Sequence, residues 1–184
     1  MHSARICFGN KCIPVNDVEK MVSEAFTVNE LTESTGLDLY VLPDDVALSA
    51  AKAYINTHPP TVRGVEAAFD LHALMGQTRH AFRTCVWKGV FRSRMPGTYT
   101  FSAYTTHTLY LYVNTFSPVD GTSALIHAPE GAGSVVGSIV LEEDTDYPFY
   151  MVLQHAGPGA QLGLSCITPA GQIVSDFTGF WYAK

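Results

Sequence analysis

The chain has 184 residues, a net charge of −6 and only 11 lysines and arginines, which excludes a phosphate-binding surface and with it a nucleic-acid partner. With 47% apolar and 15% charged residues the composition is globular rather than disordered, and a chain this long can bury one core without staples. No apolar run approaches the ~20 residues of a membrane-spanning helix, and no basic amphipathic stretch marks a membrane-surface helix, so neither kind of membrane insertion is expected.

Met1–Arg5 carries no secretory signal and reads as an initiator Met joined to a mature N-terminus. Cys7 and Cys12 bracket a turn-prone Phe8-Gly9-Asn10-Lys11, while Cys85 and Cys166 lie in strand-like sequence. None forms a CxxC pair, so zinc is disfavoured. Four cysteines allow three connectivities; Cys7–Cys12 with Cys85–Cys166 is the preferred set, free buried thiols being the alternative. An even count without metal spacing points to an oxidising, extracellular compartment, although no Asn-x-Ser/Thr sequon occurs.

Val15–Ala25 has helical apolar spacing, with Asn16 or Asp17 as cap. Gly36–Leu42 alternates like a strand and ends at Pro43, and Asp44–Tyr54 reads as a short helix with its acids at the favourable N-terminal end. From Phe82 onward the pattern is β throughout: Thr84–Phe91, Thr98–Tyr104, Leu109–Val113, Gly131–Leu141, Tyr147–Leu153, Gln161–Ile167 and Gln172–Trp181, separated by Gly, Pro and Asp. Short strands at such spacing predict an all-β antiparallel sandwich with short helices in its N-terminal part. One domain, 36–184, is expected, preceded by an arm, 1–35, packed on it.

Gly97-Thr98-Tyr99-Thr100-Phe101 followed by Leu109–Val113, then Tyr147–Val152, Gly159–Ser165, Thr168-Pro169-Ala170-Gly171 and Val174–Tyr182, run in the order of the fungal GLEYA adhesin domains, a branch of the protective-antigen-type sandwich, which this chain resembles from about Val86 to Tyr182. The resemblance implies a secreted, cell-wall-associated recognition domain whose relatives bind terminal sugars through calcium. In the family an Asp-Asp pair holds that ion; here the pair aligns with Thr106 and His107, and the second loop is Gln154–Gly159. Calcium wants six to eight oxygen ligands, carboxylates among them. Neither loop has one, so the family calcium is expected to be lost and no cofactor is assigned.

The candidate ligand loops are therefore Thr105, Thr106 and His107 with His155, Gly157 and Gly159. His107 and His155 are also possible zinc or copper ligands, against the plainer reading as loop histidines. Tyr104, Tyr110 and Tyr112, with Trp87 and Trp181, are candidate stacking aromatics, against the alternative of sandwich core. Strand alternation puts Leu109, Leu111 and Val113 toward the core and leaves Tyr110 and Tyr112 partly outside. Asp44-Asp45 is expected to stabilise a helix start, and Glu142–Asp146 to be a solvated acidic turn rather than a cation site. No nucleophile elbow, phosphate loop or His-Glu-x-x-His helix is present, so no catalysis is expected. Two functions follow: a lectin-like module for cell-wall or host glycans, or a secreted protein-interaction module, effector-like or self-associating, that keeps the fold without the sugar.

Overall fold

The computed structural model describes residues 5–8, 11–14, 36–43, 46–65, 83–116, 123–156, 160–177 and 179–183. Residues 1–33 and 34–184 form two compact units. In the first, β1 (Arg5–Phe8) and β2 (Lys11–Pro14) make an antiparallel hairpin in which Cys7 pairs with Cys12. The helix expected over Val15–Ala25 lies outside the described residues, as does Asp44-Asp45.

The second unit contains β3 (Leu37–Val41), a 3₁₀ turn (Leu48–Ala50), α1 (Ala51–Thr57) and β4 (Val62–Val65). Nine further strands follow: β5 (Arg83–Arg92), β6 (Gly97–Thr105), β7 (Leu109–Val113), β8 (Ile126–Ala128), β9 (Gly133–Leu141), β10 (Asp146–Ala156), β11 (Leu162–Ile167), β12 (Ile173–Val174) and β13 (Trp181–Tyr182). They form two antiparallel sheets. The larger runs β4-β3-β5-β10-β7-β8, with β13 also on β5; the smaller runs β12-β11-β6-β9. The all-β sandwich expected from the sequence is the observed architecture. The helix begins later than expected, after Leu48–Ala50, and the closing Gln172–Trp181 run supplies only two short strands.

Alternation builds the core between the sheets. Tyr99, Phe101 and Ala103 of β6 point inward, as do Leu109, Leu111 and Val113 of β7, to meet Trp87, Phe91, Phe149, Phe177 and Trp181. Phe91 meets Tyr99 and Phe101 edge-on at 5.5 and 5.3 Å, and Phe177 stacks on Trp181 at 4.2 Å, the geometries that aromatic quadrupoles favour. Trp87 and Trp181 are thus core residues and not the stacking platform considered above.

A second cluster lies on the other face of the larger sheet, where Ala51 and Ile55 of α1 pack on Tyr40, Leu42, Val86, Tyr112 and Val152. This corrects the reading of Tyr112: it does leave the inter-sheet core, but α1 and Phe116 cover it and its exposure is 0%. Tyr110, half-buried, stacks on His127 of β8 at 4.5 Å.

The expected Cys85–Cys166 bridge is not formed; both are buried thiols. Cys85 belongs to β5 and Cys166 to β11, on opposite sheets. A disulfide needs Cα atoms within roughly 7 Å and Cβ vectors turned toward each other, which burial in two different sheets does not by itself supply. Cys7 and Cys12, as antiparallel neighbours, fall within that span.

Non-reducing peptide mapping is expected to find Cys7 linked to Cys12 and Cys166 as a thiol. Burial pushes the Cys166 thiol from 9.0 up to about 12. The folded state thus holds this proton more tightly than the unfolded chain does. The stability it confers is complete below pH 9.0 and is lost as pH climbs toward about 12. Urea midpoints should fall across that window, and less steeply in Cys166→Ala.

Gly137 of β9 is a point of close approach, because a Cβ there would overlap the Leu125 carbonyl oxygen. Gly137→Ala should lower stability by about 1–3 kcal/mol in chemical denaturation, the usual cost of overpacking.

Candidate functional site

The first loop singled out in the sequence is bonded to the described residues on either side of the second, Gln154 and Gln161. Thr105 closes β6 with its side chain turned inward, only 1% exposed. Its hydroxyl donates to the His107 carbonyl (2.8 Å) and accepts from the His107 N–H (3.0 Å). This is a side-chain turn that competes with further strand pairing and ends β6. Thr105 therefore shapes the loop and is not available to a ligand, which corrects its place among the binding residues.

Thr106 ties the loops together. Its N–H donates to the Gln161 carbonyl (3.2 Å), and its hydroxyl accepts from the Gln161 N–H (3.0 Å). The same hydroxyl lies 2.9 Å from His107 Nδ1. On the other side, the Gln154 N–H donates to the Thr108 carbonyl (2.9 Å). Residues 157–159, with the candidates Gly157 and Gly159, are outside the described residues, and of His155 only its backbone place near the end of β10 is described.

The calcium reading can be weighed on this donor set. The hydroxyls of Thr105 and Thr106 are engaged with backbone groups and His107, and no carboxylate lies in Thr105–Thr108. Calcium sites usually include carboxylates among their oxygen ligands, and the described residues of this loop supply none, a poor fit to the ion. Among the described residues no group of three or more His, Cys, Asp and Glu side chains is placed to hold a metal. In the Glu142–Asp146 segment, Asp146 is held by Arg92 Nε at 2.7 Å and Nη2 at 3.2 Å, while Glu142, Glu143 and Asp144 face solvent.

What the corner offers instead is an exposed ring beside an amide. Tyr104 is 45% exposed on the outer face of the smaller sheet, and its hydroxyl donates to Gln161 Oε1 at 3.3 Å. Its cross-strand neighbours are Gly163 and Ser134, which leave the ring face clear. Half-buried Thr106 and His107 and exposed Gln161 stand beside it. Sequence reading missed Gln161. The signal was alternation: with Leu164 and Cys166 turned inward, Gln161, first in the expected Gln161–Ile167 strand, belongs to the outward set.

No family model and no curated protein matches the chain. Solved structures do. The A domain of epithelial adhesin 6 from Candida glabrata, in complex with Galβ1-3GlcNAc, aligns over 85% of this chain and 90% of that one at 18% identity and a TM-score of 0.60. A PA14 sugar-binding domain from an RTX adhesin aligns over 82% and 99% at 14% identity and a TM-score of 0.52. The fold is that of the PA14-type β-sandwich. With the epithelial adhesin 9 A domain of Candida glabrata the match is shorter, 56% of this chain at 19% identity and a TM-score of 0.49, and the chain spans about half, 52%, of that domain. At these identities the likeness to PA14-type sandwiches establishes architecture alone.

Thr106→Val removes the acceptor for the Gln161 N–H and leaves that donor unmet. Because the bond is exposed, the loss should cost about 0.5–1.5 kcal/mol, with Thr106→Ser close to the parent. Thermal denaturation of the two variants checks this.

Proposed function

We propose that this chain is a secreted, non-catalytic carbohydrate-recognition domain of adhesin type that binds a cell-wall or host glycan without calcium. The observation that carries the reading is the corner formed by Tyr104, Gln161, Thr106 and His107. Sugar-binding sites combine an aromatic face for the apolar side of a pyranose with a few fixed polar groups for its hydroxyls. Here the Tyr104 ring is the platform. The Gln161 amide is positioned through its contact with the Tyr104 hydroxyl (3.3 Å), and the Thr106 loop sets its backbone. The similar fold of an adhesin domain in complex with Galβ1-3GlcNAc and of a domain described as sugar-binding supports the ligand class.

Orientation would rest on neutral hydrogen bonds in place of a cation. Such bonds are each worth about 0.5–1.5 kcal/mol net, so weak, avidity-dependent binding is expected of a single domain.

Calorimetry with Galβ1-3GlcNAc, in calcium and in a chelator, tests the proposal. Equal binding in both arms, reduced about tenfold or more by Tyr104→Ala, is the expected result. Binding that appears only with calcium would refute the calcium-free mode, and an absence of binding across a glycan array in both arms would refute the sugar reading.

A further inference from the structure

The two sheets differ in what covers their outer faces. On the larger sheet α1 shields the outer face; among the described residues, none is packed over the outer face of the smaller sheet. Register places Ile173, Ile167, Thr100 and Ser138 in one row across all four strands. Val136 and Val140 flank that row on β9, both pointing outward. Val136 is 65% exposed, Val140 74% and Ile173 70%. Of the exposed large apolar side chains among the described residues, all but Val62 project from this face. No outward position on β6, β9, β11 or β12 carries a charge, although the chain as a whole carries −6.

We infer that this face is a self-association surface on which a second copy of the chain packs face to face. Charge decides between occupants. An isologous twofold contact sets each residue against the same patch of its mate. A charged face would then meet its own sign, and a partner chosen by charge would find nothing to pair with here. An uncharged face is the part of an acidic chain that approaches itself without repulsion. Size sets the strength. Strands of nine, nine, six and two residues, about 3.3 Å per residue and about 4.8 Å apart, give a face of roughly 400 Å². Doubled over two copies, that is roughly 800 Å², the size of a weak, transient association. The hydroxyls between the aliphatic side chains are already paired, Thr100 with Ser138 at 2.8 Å and Ser102 with Ser134 at 3.3 Å, so burying them leaves few polar groups unmet. Tyr104 lies two rows from Ile167 toward the loops, at the margin of the patch. The inference does not rest on the sugar reading.

Light scattering on the full chain across a concentration series tests it. The expected mass rises from 20.0 kDa toward twice that value. Because each substitution enters a twofold contact twice, Val140→Lys and Ile173→Lys should each weaken association at least tenfold. Val62→Lys, exposed but on the larger sheet, should leave it unchanged. Circular dichroism confirms that the variants fold. A monomer at every concentration overturns the inference. So does a dimer lost in Val140→Lys but kept in Ile173→Lys, since that pattern means edge pairing through β9. So does a dimer indifferent to both.

Discussion

The structure depends on one layer of aromatic side chains held between two sheets of unequal size. Phe91, Phe101, Phe149 and Trp181 interlock across the gap, with Phe101 and Phe149 from facing strands 6.4 Å apart. Removing a side chain of this size from such a core typically costs about 3–5 kcal/mol, a large share of the stability of a small domain. Once these rings are committed inward, strand alternation leaves no freedom for their neighbours. Tyr104 must point out because Ala103 and Thr105 point in, and the chain must turn just after Thr105, where the layer ends.

That turn makes the candidate site a consequence of the core. Thr105 is buried at the last inward position of β6 and uses its hydroxyl to cap its own loop. Thr106, one residue on, is then carried to Gln161, at the entry to the neighbouring strand, and bonds it through both backbone and side chain. A contact of this kind joins the loops by itself. It also engages the Thr106 hydroxyl, so the side chains of the described corner are a phenol, an amide, an imidazole and a hydroxyl, with no carboxylate among them.

How much of this was legible beforehand varied with the kind of signal. The strands of the inter-sheet core were readable because their apolar residues recur with period two, as in Thr98–Tyr104 and Leu109–Val113. Thr106 could be assigned to its loop because the flanking strands fixed that loop. Tyr112 was misread because alternation tells which face a side chain takes and not what lies over that face. The cover, α1, is distant in sequence and weak in pattern, its buried side chains being only Ala51 and Ile55. Cys85 and Cys166 were misjudged for a related reason: being in strands said nothing about which sheets those strands join. Strands β4 and β8 are four and three residues long, too short for periodicity to register, and they exist because longer neighbours offer edges to pair with.

The two faces of the sandwich also explain why its surface is so uneven in chemistry. A sheet covered on both sides can accept rings outside as well as inside, and Tyr40, Tyr112 and Tyr150 of the larger sheet occupy that space, with Phe116 stacked on Tyr150 at 4.1 Å. The smaller sheet has no such cover among the described residues, and its outward positions on β9 are Ser134, Val136, Ser138 and Val140. Small β-branched and hydroxyl side chains keep a strand regular without requiring a partner. Yet solubility alone would favour lysine or glutamate at such places, as edge strands commonly carry. That β9 has neither, over nine residues ending just before Glu142-Glu143-Asp144, locates the charge of the chain beside this face and not on it.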